Sequence, residues 1–150
     1  LVESDLELLF PNEYIPSSSE RMLLYRELDG LELDKDVLDF KARLEDRFGK
    51  VPTEGQELLR IVPLRRLAKR LGAEKVVLKA ERMVLYFVSN PDSPFYQSIA
   101  FGKVIGYMGT HPRYCNLREQ NGRRSMVVKN VETVETAVSI LQEIVSMESK

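Results

Sequence analysis

Few side chains in this chain could act as nucleophiles or carry protons. The single histidine, His111, and the single cysteine, Cys115, lie four positions apart. A thiol beside an imidazole could form a nucleophilic pair, but catalysis also needs a group that orients the base and donors for an oxyanion, and no nearby residue marks either. Because His111 precedes Pro112, it favours an extended loop position. We expect a loop histidine and no catalytic pair.

Other catalytic chemistries need residue patterns that the sequence lacks. One histidine and one cysteine cannot supply the several ligands of a zinc site. Gly102-Lys103 lacks the upstream glycine and the following hydroxyl of a nucleotide-binding G-x-x-x-x-G-K-[ST] loop. The 23 acidic residues offer many carboxylate pairs, and no context distinguishes one as an acid/base pair. The sequence therefore predicts a domain that is not an enzyme, with no metal and no cofactor.

The composition indicates that residues 1–150 form one small domain. With 150 residues and 43% hydrophobic content, the chain can bury a core. A lone cysteine suits a reducing compartment, and no apolar run is long enough to cross a membrane. The N-terminus has neither a methionine nor a basic region typical of a signal peptide, which suggests a fragment of a larger protein. We expect a cytoplasmic location and no membrane partner.

The net charge of −1 hides an uneven distribution. Residues 1–46 carry 13 acidic and 5 basic groups, whereas 47–150 carry 10 acidic and 17 basic groups. Such asymmetry can steer a protein partner and fix how it docks. It argues weakly against a nucleic-acid module, which usually has a basic excess over the whole domain.

One basic cluster offers an alternative function. It comprises Arg60, Arg65, Arg66, Lys69 and Arg70, with Arg123 and Arg124 at a predicted hairpin tip. These cations could contact phosphates or an acidic surface, or they could form a solvated face that balances the acidic helices. The cluster lacks the interleaved aromatic residues of a base-stacking surface, and Tyr86 and Phe87 fit a core better. We therefore expect no direct nucleic-acid contact, and keep a small nucleic-acid-associated domain as the alternative.

Two helices are predicted within residues 17–52. Ser17 and Glu20 fit a capping box, and an apolar run then continues to Asp29-Gly30. The second helix starts near Asp34, and its apolar residues form one narrow stripe: Val37, Phe40, Leu44 and Phe48. Gly49 suits the left-handed position after the last turn, and Pro52 prevents continuation. We expect Phe48 to be a buried anchor.

The opposite face of the second helix is mostly acidic. At about 100° per residue, Asp36, Asp39, Arg43 and Asp46 project away from the apolar stripe. Arg43 is the one basic member, and it could pair with Asp39 or Asp46 along the helix. Such a face is either solvated or a partner-binding surface.

The chain on either side of these helices follows other patterns. We expect 1–16 to form an extended arm, with Pro11 and Pro16 keeping it out of a helix. Thr53 and Gln56 fit a second capping box, which opens a long helix that closes at Gly72. Because Pro63 lies inside that helix, a kink or two abutting helices are expected. The helical part thus spans 17–72.

Residues 73–150 repeat a strand-strand-helix order. Runs at 74–79 and 83–88 predict one hairpin, and 114–119 and 125–129 predict another around Asn121-Gly122. A helix is expected from Phe95 to about Met108, and Asn130 is expected to cap the last helix. The predicted fold is α+β, with N-terminal helices packed with an antiparallel four-stranded sheet.

Several spaced motifs resemble the C-terminal domain of bacterial transcription-repair coupling factor (the Mfd family). They are Pro11-x-Glu13-Tyr14-Ile15, Arg21 with Leu24-Tyr25, Asp46-Arg47-Phe48-Gly49-x-x-Pro52, and Leu71-Gly72. The resemblance is specific over 11–72 and looser beyond residue 73. That family is a DNA translocase which removes stalled RNA polymerase and recruits excision repair.

The resemblance implies a regulatory interaction domain without an active site. It implies docking on the UvrB-like module of the same polypeptide, which hides the surface that recruits UvrA and restrains the motor. Within the matched DRFG motif, Asp46 is the position implied to meet arginines of that module. Asp39, Asp36 and Arg43 join it as candidate partner-binding residues through their shared helix face.

Overall fold

The computed structural model describes residues 1–148, which divide into two compact units. The helical unit is Glu7–Pro63. The sheet unit combines Leu1–Leu6 with the chain from Leu64 onward. The organisation of the whole chain as one regulatory domain stays a prediction.

The helical unit begins with the two predicted helices, α1 (Ser18–Asp29) and α2 (Asp34–Phe48). The predicted cap of α1 is confirmed, since the Ser17 hydroxyl accepts a 3.2 Å hydrogen bond from the Glu20 N–H. Gly49 follows α2 at φ = 85°, a backbone angle that residues other than glycine rarely adopt.

A compact core holds these helices together. Its buried members are Phe10, Ile15, Leu28, Phe40, Leu44, Val51, Leu59 and Val62. Phe48 packs against this core but is only half-buried, so the expectation of a fully buried anchor is wrong. Phe40 and Leu44, in the middle of the predicted stripe, are the buried anchors of α2.

The predicted interruption of the long helix is confirmed, although the break is not at the proline. Helix α3 (Thr53–Leu59) ends at Arg60, and α4 (Ile61–Arg70) begins directly after it. Pro63 is the third residue of α4, where a helix leaves its N–H groups without intrahelical partners and proline is tolerated. The expected Thr53 cap is wrong, because Pro52 is the N-cap and the Gln56 side chain donates to the Val51 carbonyl instead.

Five strands form one mixed sheet in the described chain. They are β1 (Val2–Ser4), β2 (Lys75–Lys79), β3 (Arg82–Tyr86), β4 (Cys115–Gln120) and β5 (Arg123–Lys129), in the order β1-β2-β3-β5-β4. Both predicted hairpins are present and antiparallel. The expected four-stranded antiparallel sheet is wrong, because β1 adds a parallel edge strand with Val2 opposite Val76. The start of the predicted extended arm is thus part of the sheet.

Both hairpin turns adopt left-handed backbone angles. Asn121 and Gly122 have φ of 54° and 75°, as expected for an Asn-Gly turn between strands. Ala80 and Glu81 form the other turn at φ of 53° and 59°, a conformation that costs energy for residues with a Cβ atom.

The helices of the sheet unit differ in detail from the sequence prediction. Ser93 caps a short 3₁₀ turn (Pro94–Gln97), and Ser98 then caps α5 (Ile99–Thr110), so the predicted single helix is broken. Thr133, rather than Asn130, caps the last helix, α6 (Val134–Val145). Asn130 has φ = 61° and lies outside the helix.

Burial alternates along β2 and β3 of the sheet unit. On one face the side chains are buried, among them Val76, Leu78, Met83 and Leu85. On the other face, Val77 and Val84 are only half-buried, although Ser125 and Val127 of β5, which the register places on this face, are buried. We conclude that the helices of this unit cover one face of the sheet and leave most side chains of the other face accessible. None of the helices in the described residues is long and apolar enough to cross a membrane.

Candidate interaction surfaces

The motifs of the helical unit mainly fix its framework. The Tyr14 hydroxyl donates a 2.7 Å hydrogen bond to the Gly49 carbonyl, and its ring lies 5.7 Å from that of Phe48. These contacts join the segment before α1 to the end of α2. Tyr14 and the Phe48-Gly49 pair therefore stabilise the fold rather than perform chemistry.

A second set of motif contacts fixes the entry to α1. The Arg21 guanidinium donates to the carbonyls of Ile15 (2.6 Å) and Pro16 (3.2 Å). The Phe10 N–H donates a 2.9 Å bond to the Tyr25 hydroxyl, and the two rings stack with centroids 5.4 Å apart. Arg21 and Tyr25 thus satisfy backbone groups of the preceding segment, as buried polar groups require.

The acidic residues of α2 divide into two groups. Asp39 and Asp46 are exposed, whereas Asp36 is half-buried. Neither Asp39 nor Asp46 forms an ion pair within the described chain. They share the outward side of α2 with Ala42, and Leu38, which is 67% exposed, lies at its flank. We call Leu38, Asp39, Ala42 and Asp46 the outward strip.

Arg43 does not pair with the acidic residues of its own helix. Its guanidinium forms a 2.7 Å ion pair with Glu27 of α1 and lies 5.6 Å from the centre of the Phe40 ring. The expected pairing with Asp39 or Asp46 along α2 is therefore not the one that forms. Arg43 links α1 to α2, and the two aspartates remain available on the outward strip.

The predicted basic helix is α4 together with the residue before it. Arg60 lies 3.0 Å from Glu57 in an ion pair. Arg65 and Arg66 are half-buried, and Lys69 and Arg70 are exposed at the end of α4. The cluster does not present all of its cations to one surface, which weakens the alternative function based on it.

The two arginines of the second hairpin are engaged within the sheet unit. Arg123 pairs with Glu74 at 3.3 Å, donates to the Phe87 carbonyl at 3.2 Å, and lies 5.3 Å from the centre of the Tyr86 ring. Arg124 lies 4.3 Å from the centre of the Tyr96 ring and 3.8 Å from a Glu119 oxygen. Both brace the hairpin, and Arg124 lies on the helix-covered face.

Cys115 and His111 do not form a nucleophilic site. Burial raises the pKa of the Cys115 thiol, which favours the unreactive protonated form. His111 follows α5, as a loop residue in agreement with the prediction, and its ring stacks on Tyr107 with centroids 3.9 Å apart. Its Nδ1 atom lies 2.9 Å from the Tyr107 carbonyl. Within 1–148, no group of three or more His, Cys, Asp and Glu side chains could hold a metal ion.

Sequence reasoning missed the accessible face of the sheet. Tyr86, expected in the core, is half-buried and lies on this face beside two cations, Lys75 and Arg123. The signal was present, because side chains alternate between faces along a strand and Leu85 occupies the buried side. Only the strand order, however, brings Lys79, Arg82 and Lys129 into one row.

Comparisons with known proteins point to one family. A family model described as the TRCF domain matches residues 4–98. A transcription-repair-coupling factor of Rickettsia bellii is 28% identical over 116 residues, which cover 77% of this chain and 10% of that protein. One from Escherichia coli is 32% identical over 75 residues, or 50% of this chain and 6% of that protein. The matched part of the chain thus spans a tenth or less of the length of these curated relatives.

A solved structure has the same fold. The crystal structure of a C-terminal domain of transcription-repair coupling factor aligns with a TM-score of 0.68 and 16% sequence identity. The alignment covers 96% of this chain and 92% of that one. Since the family model covers more than half of the residues, the chain belongs to the TRCF domain family, the C-terminal domain of transcription-repair coupling factor.

Proposed function

We propose that this chain is a non-catalytic regulatory domain of a transcription-coupled DNA repair translocase. It docks on the UvrB-like module of its own polypeptide, hides the surface that recruits UvrA, and restrains the ATP-dependent motor. UvrA and RNA polymerase are partners only through the full-length protein. The observation that carries the proposal is the outward strip of α2, whose Asp39 and Asp46 have no ion pair within the described residues.

The charge of the outward strip suits a basic partner surface. Arg43, the one cation expected to neutralise the aspartates, pairs with Glu27 instead. Arg47 is likewise drawn to Glu20 and lies 4.9 Å from the centre of the Phe48 ring. Both aspartates can therefore accept hydrogen bonds from arginine side chains of a partner.

Apolar surface next to the aspartates would add binding energy. Leu38 also lines a shallow groove of about 140 Å³, whose walls include Val37, Leu59 and Pro63. An exposed leucine beside a groove and two carboxylates gives the mix of apolar contact and polar rim that protein interfaces use.

The outward strip is also held in a fixed position, which lowers the entropy cost of docking. Phe40 and Leu44 anchor α2 in the core, and Tyr14 fixes its end through Gly49. A rigid helix presents its outward side chains in one geometry, as a preorganised interface requires.

Replacing Asp46 tests the proposal. Asp46→Arg should leave the fold intact, because the side chain is exposed and faces away from Phe40. Loss of one partner of an interfacial charge pair costs about 2–5 kcal/mol, and reversal adds repulsion. We expect binding of the purified UvrB-like module, measured by calorimetry, to weaken by roughly 30-fold or more. Glu32→Arg, the same charge change at an exposed loop position, is the control and should bind normally.

In the full-length protein, a loss of this size would shift the docked state toward an open one. About 5.5 kcal/mol separates a 1:99 from a 99:1 population, so a change of a few kcal/mol is large on this scale. Asp46→Arg should then recruit UvrA more readily and hydrolyse ATP faster. If both module binding and UvrA recruitment match the parent, the outward strip is only a solvated surface.

A further inference from the structure

The accessible face of the sheet in the sheet unit concentrates positive charge. The register places on it the basic side chains of four strands: Lys75, Lys79, Arg82, Arg118, Arg123 and Lys129. Glu3 of β1, which lies opposite Val77 in the register, pairs with Lys75 and Lys79, and Glu74 pairs with Arg123. A chain with a net charge of −1 therefore carries a strongly basic surface.

Three of these cations stand directly opposite one another. Lys79 on β2 faces Arg82 on β3, and Arg82 faces Lys129 on β5. Like charges in directly opposed positions destabilise a sheet. Glu3 contacts Lys75 at 3.2 Å and Lys79 at 3.7 Å, while Arg82 and Lys129 form no ion pair among the described residues. Repulsion within the row of Lys79, Arg82 and Lys129 lowers the stability of the sheet, and a bound anion would reduce that repulsion.

A depression lies on the same face, toward the second hairpin. Its volume is about 390 Å³, and its lining includes Tyr86, Ser89, Arg118, Gln120, Asn121 and Arg123. The Tyr86 ring is flanked by two cations, Lys75 at 5.8 Å and Arg123 at 5.3 Å from its centre. The amide and hydroxyl groups that line this depression can hydrogen-bond to the edge of an unpaired base.

A second exposed aromatic residue extends the face. Tyr114, immediately before β4, is 48% exposed, and its carbonyl accepts a 2.8 Å bond from the Lys129 N–H. This bond continues the ladder by one pair beyond Cys115 and Val128. Tyr114 itself lies in the turn before β4, and we infer from the alternation of β4, continued by this one residue, that its side chain is on the accessible face beside Lys129.

We propose that this face binds single-stranded nucleic acid. The row of Lys79, Arg82 and Lys129 contacts phosphates, and Tyr114 stacks on a base. Cationic surfaces that follow the backbone, with aromatic rings beneath the bases, are how proteins hold single strands. A protein partner fits less well, because lysine is depleted in protein interfaces and this face has no large exposed aliphatic side chain at its centre.

The proposal goes beyond the regulatory docking function and does not depend on it. Docking uses the outward strip of α2 in the helical unit, whereas this site uses other residues, in the sheet unit. It shares only Arg123 with the alternative based on Arg60–Arg70 and the hairpin arginines. The expectation of no direct nucleic-acid contact rested on charge over the whole domain and on the lack of aromatic residues in the basic cluster, and neither describes a surface assembled from four strands.

Fluorescence anisotropy with labelled oligothymidine of about twelve nucleotides, a length within known site sizes, tests the proposal. Three to six phosphate contacts predict that the logarithm of the association constant falls against log salt with a slope of about −2 to −4. The triple variant Arg82→Glu/Arg118→Glu/Lys129→Glu should bind roughly tenfold more weakly or worse at low salt. Tyr114→Ala should weaken binding roughly fivefold or more through lost stacking.

A matched control separates the site from overall charge. Arg26→Glu/Lys35→Glu/Lys50→Glu makes the same charge change at exposed positions of the helical unit and should bind nearly as the parent does. Lys129→Glu alone should raise the melting temperature while it weakens binding, because the introduced carboxylate faces Arg82. A merely unfolded variant could not give that combination.

Several results would overturn the proposal. One is equal loss of affinity in the triple variant and its control, which would indicate non-specific attraction. Another is equal affinity for duplex DNA with no effect of Tyr114→Ala, since stacking would then play no part. A third is no measurable binding of oligothymidine together with binding of polyglutamate that the triple variant abolishes, which would assign the face to an acidic polypeptide.

Discussion

Any substitution of Gly72 should destabilise the sheet unit, and the size of the loss follows from the surroundings of this residue. It terminates α4 at φ = 79°, with the Gly72 N–H bonded to the Lys69 carbonyl and the Ala73 N–H bonded to the Ala68 carbonyl. This pattern is the Schellman motif that commonly ends helices. A Cβ atom at Gly72 would lie 2.6 and 2.7 Å from two atoms of the Phe95 ring, and a third ring atom is closer still.

Two costs therefore add when Gly72 is replaced by alanine. The left-handed backbone costs about 1–2 kcal/mol for a residue with a Cβ atom. Forcing the Phe95 ring aside costs about 1–3 kcal/mol more, as overpacking does elsewhere. The ring cannot turn away freely, because Phe87 and Phe101 lie 5.5 and 5.4 Å from it. We expect Gly72→Ala to destabilise the sheet unit by about 2–5 kcal/mol.

A double-mutant cycle in urea separates the two costs. Far-UV circular dichroism is the suitable probe, because the chain has no tryptophan. In a Phe95→Ala background the clash is gone, and Gly72→Ala should cost only about 1–2 kcal/mol. Gly122→Ala is the matched control: it has φ = 75°, but its nearest neighbour is the Ser89 carbonyl oxygen at an ordinary 3.7 Å.

The reasoning fails if the cost of Gly72→Ala is the same with and without the Phe95 ring. It also fails if Gly72→Ala costs no more than Gly122→Ala, since both share the backbone strain. Either result would mean that the approach of Phe95 does not restrict this position. The Leu71-Gly72 motif would then reflect helix termination alone.

Three further outcomes are expected. Phe40→Ala should cost about 3–5 kcal/mol and Phe48→Ala clearly less, because only Phe40 is fully buried; equal melting curves for the two variants would contradict this. Burial raises the pKa of Tyr107 to about 12 from 10.0. The contribution of the neutral Tyr107 to the free energy of unfolding should therefore be fully present below pH 10 and should be lost as the pH rises toward 12. The loss should reach roughly 2–3 kcal/mol and be absent in Tyr107→Phe, as measured by urea unfolding at each pH. The pure chain should not hydrolyse ATP, and turnover that survives repurification would refute its non-catalytic role.

Much of the local structure was predictable because local chemistry specifies it. Ser17 caps α1 through its own hydroxyl, and Asn121-Gly122 makes a turn whose backbone angles few other residue pairs adopt. The stripe of α2 follows from helical periodicity. Where a local signal had a competitor nearby, the prediction failed: Thr133 replaced Asn130 as the cap, and Ser98 started a new helix inside a predicted one.

The candidate sites were only partly predictable. Helical spacing predicted that Asp39 and Asp46 point outward, and both are exposed in the structure. The partner of Arg43 was not predictable from α2, because Glu27 belongs to another helix and periodicity describes one helix at a time. The basic residues of α4 looked like one surface in sequence, yet Arg65 and Arg66 are half-buried beside the exposed Lys69 and Arg70.

The sequence by itself determined most of the helices, the two hairpins and the family, since each is specified by short patterns of residues close together in the chain. Only the tertiary structure decided that Val2–Ser4 pairs with β2 in parallel, a contact between segments more than seventy residues apart that no local pattern encodes. It also decided that β3 and β5 are neighbours, which places Arg82 opposite Lys129. The physical reason is that strand order depends on how helices and sheet bury their apolar faces together, a property of the whole unit rather than of any one segment.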